Sequence, residues 1–405
     1  MPTYQVLVRT PEFTPLLAVS ALQVAASTAS GLALATLVYT ATASPFLAAL
    51  SMFGGCFTQV VGAVLLLSAA DRLPPRGATA VLALSFAVST ALLAVPGLPL
   101  GAVFAVLLCQ GLAASVGGGV RYGLLGEILP KEHYLLGRSV FNMSAGAVQI
   151  GSFALGGVLV GALTPRGTLL AAAALYAAAA AVALLGLSRR EPRTSGRASV
   201  AETWRVNSRL WRSRSRRLLY LELWVPSGLI VGCESLFVPY APGRAAELFA
   251  ASAVGMLAGD TVVGRFLGAR LRRRLTVPLL LLLAAPYPLL ALRPPLPVAA
   301  VALVLGSAGY GAGLLQQERL MALVPDELVG QALGLHSCGM LACQGLGAAL
   351  AGAVAQHGSA GTAMAVMASA SVAVTLALAV GSGRIRQPRP GVERQCRTSQ
   401  RVFEG

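Results

Sequence analysis

The chain has 405 residues, of which 56% are hydrophobic and only 11% charged, and it carries a net charge of +16. Soluble domains usually have about 25% charged residues, so this composition excludes an ordinary water-soluble globule. The basic residues lie in short connections between apolar runs, which points to membrane topology and anionic headgroups and away from a nucleic-acid partner.

Apolar stretches of spanning length fall near 14–40, 46–70, 78–97, 99–127, 138–163 and 166–188. A polar stretch follows, and six more fall near 218–240, 246–269, 275–292, 296–323, 329–356 and 360–382. Roughly 20 apolar residues cross the hydrocarbon core as a helix, and Thr168 to Leu187 does so without a charge. The expected domains are a six-helix bundle over 1–188, a basic linker over 189–217 and a second six-helix bundle over 218–383. A disordered cytoplasmic tail is expected over 384–405, which is rich in Arg, Gln, Pro and Ser.

With the amino terminus inside, the outward loops hold only Arg166, Arg244 and Arg293 of the 31 basic residues. That asymmetry predicts a multi-pass plasma-membrane protein with both termini in the cytoplasm. The linker carries ten arginines from Arg189 to Arg217, and Trp204 and Trp211 stand seven residues apart within it. This spacing suits a helix lying in the cytoplasmic interface, anchored by indoles and guanidinium groups. The cysteines Cys56, Cys109, Cys233, Cys338, Cys343 and Cys396 have no metal-ligand spacing and read as small buried groups. No metal or cofactor site is expected.

The two halves echo each other after their fourth spans. Glu127-Ile-Leu-Pro-Lys-Glu132 in the first half corresponds to Ala322-Leu-Val-Pro-Asp-Glu327 in the second. Such an element at matching positions implies duplication. The connection after the second span reads Ser68-Ala-Ala-Asp71-Arg72-Leu-Pro-Pro-Arg76. Its counterpart after the eighth reads Gly264-Arg-Phe-Leu-Gly268-Ala-Arg-Leu-Arg272-Arg273.

These two segments resemble the Gly-x-x-x-Asp-Arg-x-Gly-Arg-Arg signature of the major facilitator superfamily. Asp71, Arg72 and Arg76 match in the first half; Gly264, Arg272 and Arg273 match in the second. The resemblance covers nearly the whole chain. It implies an all-α membrane protein with twelve transmembrane helices in two pseudo-symmetric six-helix bundles. It also implies that Asp71, Arg72 and Arg76 act as a charged latch favouring one of two states.

Gln110-Gly111-Leu-Ala113-Ala114 is similar to the family's proton-coupling stretch, with Leu107 where the family has arginine. Gly151-Ser-Phe-Ala-Leu-Gly156-Gly157 is similar to the glycine-rich stretch of its exporters, with Ser152 in place of proline. Glycines at Gly151, Gly156 and Gly157 would let helices approach closely. Together with the Leu-Pro-x-Glu loop, these features resemble the multidrug and siderophore exporter branches.

Ionisable residues deep in a span need a reason to be there, since each costs about 2.5–3.5 kcal/mol on insertion scales. Glu234 and Asp260 are such residues, and both are candidates for proton coupling. Glu222 is expected at the interface, and Arg121 is expected near the inner end of the fourth span, paired with Glu127 or Asp71. Gln23, Asn142 and Gln149 are candidate cavity residues, because the first and fifth spans line the central pathway in the family resembled, and Gln110 of the fourth span joins them. No catalytic constellation or phosphate loop is present. The expected function is secondary transport of a small solute by alternating access, with export of an amphipathic or drug-like compound preferred. An importer, or a membrane receptor or scaffold that no longer transports, is the alternative. The expected partners are the solute, the bilayer and protons, and a monomer is expected.

Overall fold

The computed structural model describes residue 7 and residues 10–70, 73–191, 200–267, 269–325 and 328–383. Asp71, Arg72, Glu327, Cys396 and the tail from Arg384 lie outside the described residues. So do the side chains of Asn142, Trp204, Arg272 and Arg273.

The first span is α1 (Phe13–Thr42), and the second is made of α2 (Pro45–Phe53) and α3 (Gly55–Ala70). The turn between the first two spans is written in the sequence. Ala43 takes a left-handed conformation and donates its N–H to the Tyr39 carbonyl. Ser44 then accepts a hydrogen bond from the Leu47 N–H, and Pro45 occupies the first helical turn where no N–H is needed. The third and fourth spans are α4 (Pro75–Leu93) and α5 (Leu100–Ile128).

The fifth and sixth spans are continuous in hydrogen bonding as α6 (Lys131–Gly186), but Thr164 breaks it at φ 66°, ψ 163°, just before Pro165. Proline lacks the N–H that would carry the helix on, so the chain reverses there. The fifth span begins at Lys131 and not near 138, because Pro130 starts the helix directly.

The linker forms α7 (Val200–Arg212). The seventh span follows as α8 (Arg214–Glu234) and the short α9 (Phe237–Tyr240), and the eighth is α10 (Ala245–Arg265). The ninth comprises α11 (Ala269–Ala284) and α12 (Tyr287–Leu290). In the tenth, α13 (Leu296–Ser307) and α14 (Ala312–Leu323) are joined by a 3₁₀ turn over Ala308–Gly311. The last two spans are α15 (Val329–Gln356) and α16 (Ala360–Gly383). Among the described residues, ten helices are long and apolar enough to cross a membrane. The segments before Thr164 and over Arg274–Leu290 complete two sets of six.

Packing repeats between the halves. The first span packs on the fifth and sixth, and the seventh packs on the eleventh and twelfth. The second packs on the fourth, and the eighth on the tenth. The third meets the sixth, as the ninth meets the twelfth. Between the halves, the second span touches the eleventh and the fifth touches the eighth. Exchanging the two halves turns one of these pairs into the other, which is the mark of a pseudo-twofold arrangement.

In lipid the hydrophobic effect does not drive helices together, so close backbone approach matters more. Gly347 on the eleventh span shows this: a methyl there would collide with the Gly228 carbonyl of the seventh. Gly339 leaves room in the same way for the Trp224 ring.

The linker helix docks on the second bundle. Leu210 is fully buried, and Trp211 stacks on Trp224 at 5.7 Å and on Tyr220 at 6.2 Å. Trp224 donates its Nε1 hydrogen to His336 Nδ1 at 3.2 Å, tying the seventh span to the eleventh.

Candidate transport pathway and coupling site

The two bundles meet on one side. The end of the molecule carrying the linker is here called the linker side, and the opposite end the distal side. Ser44 donates to the Gln356 side chain at 3.0 Å. Phe46 lies against Gly352, and Phe57, nearer mid-span, lies against Gly345. The Phe153 and Phe249 rings stack at 4.7 Å with only 7° between their planes. These contacts run from the distal end to about mid-span. The described side-chain contacts between the bundles therefore close the distal side.

A cavity of about 490 Å³ runs inside the first bundle, between the first, second, third and fourth spans. Ser27 lies at mid-span and presents its surface to this space. Gln23, Gln59 and Gln110 line it as well. Gln110 is held by Ser89 at 2.7 Å and Thr90 at 3.2 Å on the third span, so its amide also ties two helices together. Gln149 is half-buried on the fifth span and does not line this cavity.

Arg121 enters the cavity, which the sequence did not reveal. Its guanidinium donates to Ser20 Oγ and Gln23 Oε1, each at 3.1 Å, both on the first span. Helical periodicity could have found it, since Arg121 falls fourteen residues after Leu107 and seven after Ala114, on the face shared by these cavity-lining positions.

Glu234 ends the main helix of the seventh span, and Tyr310 sits in the 3₁₀ turn of the tenth. The Tyr310 hydroxyl donates to Glu234 Oε1 at 3.1 Å. A carboxyl and its partner thus both stand at interruptions of regular helix, where backbone can move most cheaply. Glu234 is half-buried, whereas Tyr287 beside it is fully buried. Asp260 is half-buried on the eighth span and makes no hydrogen bond or ion pair with the described residues. The structure does not join it to Glu234.

Glu222, near the start of the seventh span, is covered by protein. It is 8% exposed, with Gln316 donating to its backbone carbonyl at 3.2 Å and Arg319 close enough to act on its charge. The tenth span covers it, which a reading of the seventh span alone could not reveal. Among the cysteines, Cys233 is buried but Cys109 is exposed, against the expectation that all are buried.

Of the latch residues, Arg76 is described: it donates to the Leu184 carbonyl near the end of the sixth span. A cation at a helix carboxyl end interacts favourably with the last carbonyls. Gly264 is exposed, and a methyl added there would meet open space. Gly156 faces Ala29 and Leu32 of the first span at ordinary contact distance, Gly151 meets nothing, and the side of Gly157 is outside the described residues.

A family model for the Major Facilitator Superfamily matches residues 16–312. The chain belongs to the major facilitator superfamily. It is accordingly a multi-pass membrane protein of a transporter family, with that superfamily's fold. Solved structures similar to this superfamily member include a POT family transporter in complex with 5-aminolevulinic acid, with a TM-score of 0.75 and 14% identity. That match covers 93% of this chain and 96% of the other. A mutant form of the nucleoside transporter NupG has a TM-score of 0.73 and 15% identity, covering 91% of this chain and 99% of the other. At such identities the likeness is one of fold. No curated protein matches the sequence.

Proposed function

We propose that this major facilitator protein is a secondary transporter that moves a small amphipathic solute by rocking its two bundles, coupled to protons through Glu234 and Asp260. The observation that carries this reading is the one-sided contact between the bundles. Two bodies whose described side-chain contacts lie from the distal end to mid-span can exchange them for contacts on the linker side. With the linker side in the cytoplasm, the described contacts belong to a state closed on the outer side. The half-buried Glu234, bonded to Tyr310 at two helix breaks, supports a group that exchanges protons as the bundles move. Export is preferred because the Gly151 to Gly157 stretch resembles that of exporters. The solved neighbours, with an aminolevulinic acid complex and a nucleoside transporter among them, favour a second reading in which a small polar compound is carried.

The test is flux of neutral, anionic and cationic amphipathic dyes and of small polar solutes in proteoliposomes, with and without a pH gradient. The expected result is gradient-driven flux of at least one amphipathic dye, lost in Glu234→Gln and reduced in Asp260→Asn. Full activity in both variants removes the coupling role. Absence of any flux favours a receptor or scaffold. Dye accumulation in cells lacking or overproducing the protein then gives the direction.

A further inference from the structure

Ser235 and Ser371 show how a buried hydroxyl is ordinarily satisfied in the second bundle. Ser235 donates to the Gly232 carbonyl at 2.7 Å, and Ser371 to the Pro226 carbonyl at 3.2 Å. Two hydroxyls near Glu234 differ. Tyr287 of the ninth span is fully buried and Ser252 of the eighth is 6% exposed, yet neither oxygen completes a hydrogen bond among the described residues. The Tyr287 hydroxyl is near enough to interact with the Glu234 carboxyl and with Ser252 Oγ. A buried hydroxyl without a partner has given up its bonds to water, so its place calls for a reason.

Among the described residues, the titratable groups facing Glu234 are Tyr287, Tyr310 of the tenth span and Cys233 on its own span. The Cys233 thiol is turned to the Met364 carbonyl of the twelfth span at 3.4 Å. No arginine, lysine or second carboxylate among the described residues acts on Glu234. Neutral hydroxyls therefore have to meet both of its protonation states.

We infer that Tyr287 is a two-position hydroxyl that follows the proton on Glu234, turning to the carboxylate when it is ionised and to Ser252 when it is protonated. The inference deepens the coupling role proposed above; it rests on Glu234 exchanging a proton, not on the chain carrying a solute. In the ionised state Tyr310 and Tyr287 both donate to the carboxylate, and Ser252 donates to the Tyr287 oxygen. When a proton arrives from water at the exposed edge of Glu234, the new O–H donates to the Tyr287 oxygen. The Tyr287 hydrogen then turns to Ser252 by rotation about the C–O bond, and no bond of Tyr287 breaks. A tyrosine hydroxyl both donates and accepts, as this exchange requires. Tyr287 is thus a positioning residue for the carboxyl.

The test is an infrared titration of the purified full chain in nanodiscs. It follows the carbonyl stretch of protonated Glu234, identified by its absence in Glu234→Gln. Tyr287→Phe removes a donor to the ionised carboxylate, so the midpoint should move to higher pH, by roughly one unit for a charge-assisted bond. Ser252→Ala removes the partner of Tyr287 in the protonated state, so the midpoint should move to lower pH. Ser371→Ala, at a serine already bonded to backbone, should leave it in place. Monodisperse elution of each variant shows that it folds. Shifts of the same sign, a shift in one variant alone, no shift, or an equal shift in Ser371→Ala overturns the inference. A carboxyl that does not titrate overturns it together with the coupling role. Opposite shifts in a chain that moves no solute support it and count against the transport reading alone.

Discussion

Arg190, just past the sixth span, reaches two acids from other elements. Its Nη2 donates to Glu12 Oε1 at 3.0 Å, and its Nε lies 3.8 Å from Glu127 Oε2. Ser188 adds a bond to Glu12 at 2.8 Å. The first, fourth and sixth spans are thereby tied at the linker side. These side chains are partly exposed, at 17–30%, so each pair taken singly contributes about 0.5 kcal/mol. Removing the arginine takes the shared cation from both contacts at once. Arg190→Gln is therefore expected to lower the thermal unfolding midpoint in detergent more than Glu12→Gln does. Equal shifts would contradict the shared role. The sequence supplied the identities of these residues but not their partners. Arg121, Glu222 and Arg190 each depend on which neighbouring helix turns towards them, and hydropathy carries no record of that.

Among the elements, most spans were legible to within a few residues, because the length of an apolar run and its proline and glycine breaks are local properties; the fifth and ninth were not, since their helices begin earlier, at Lys131 and Ala269. The repeated Leu/Val-Pro-x-Glu element was legible for the same reason. The break at Thr164 was legible as the gap between the runs 138–163 and 166–188, but the positive φ of Thr164 was not. The helix in the linker was foreseen from Trp211 and its arginines, but its seat was not. Trp211 lies on Tyr220 and Trp224, and Leu210 is wholly covered, so α7 is held as part of the second bundle. Trp211→Ala should loosen it and speed tryptic cleavage after Arg209 and Arg212 several-fold in detergent-solubilised protein. Cleavage at an unchanged rate would show that the stack does not hold the helix.

For the molecule as a whole, the duplicated packing pattern gives the function its form. Second against eleventh and fifth against eighth are equivalent contacts, and both are made in the distal half. A sequence with two echoing halves announces such symmetry, yet it cannot tell which side is closed, because both states use the same residues. At the latch segment, Arg76 caps the sixth span.

The most direct test of the two-state account needs no knowledge of the solute. Spin labels at Ala41 and His357, exposed positions beside the Ser44–Gln356 contact, report the distal gap when the native cysteines are replaced. Electron–electron double resonance in nanodiscs should give two distance populations, separated by on the order of 10 Å for a rigid-body rotation of the bundles. Their ratio should change between neutral and acidic pH, and Glu234→Gln should remove that change. A single short distance under every condition would contradict alternating access in this protein.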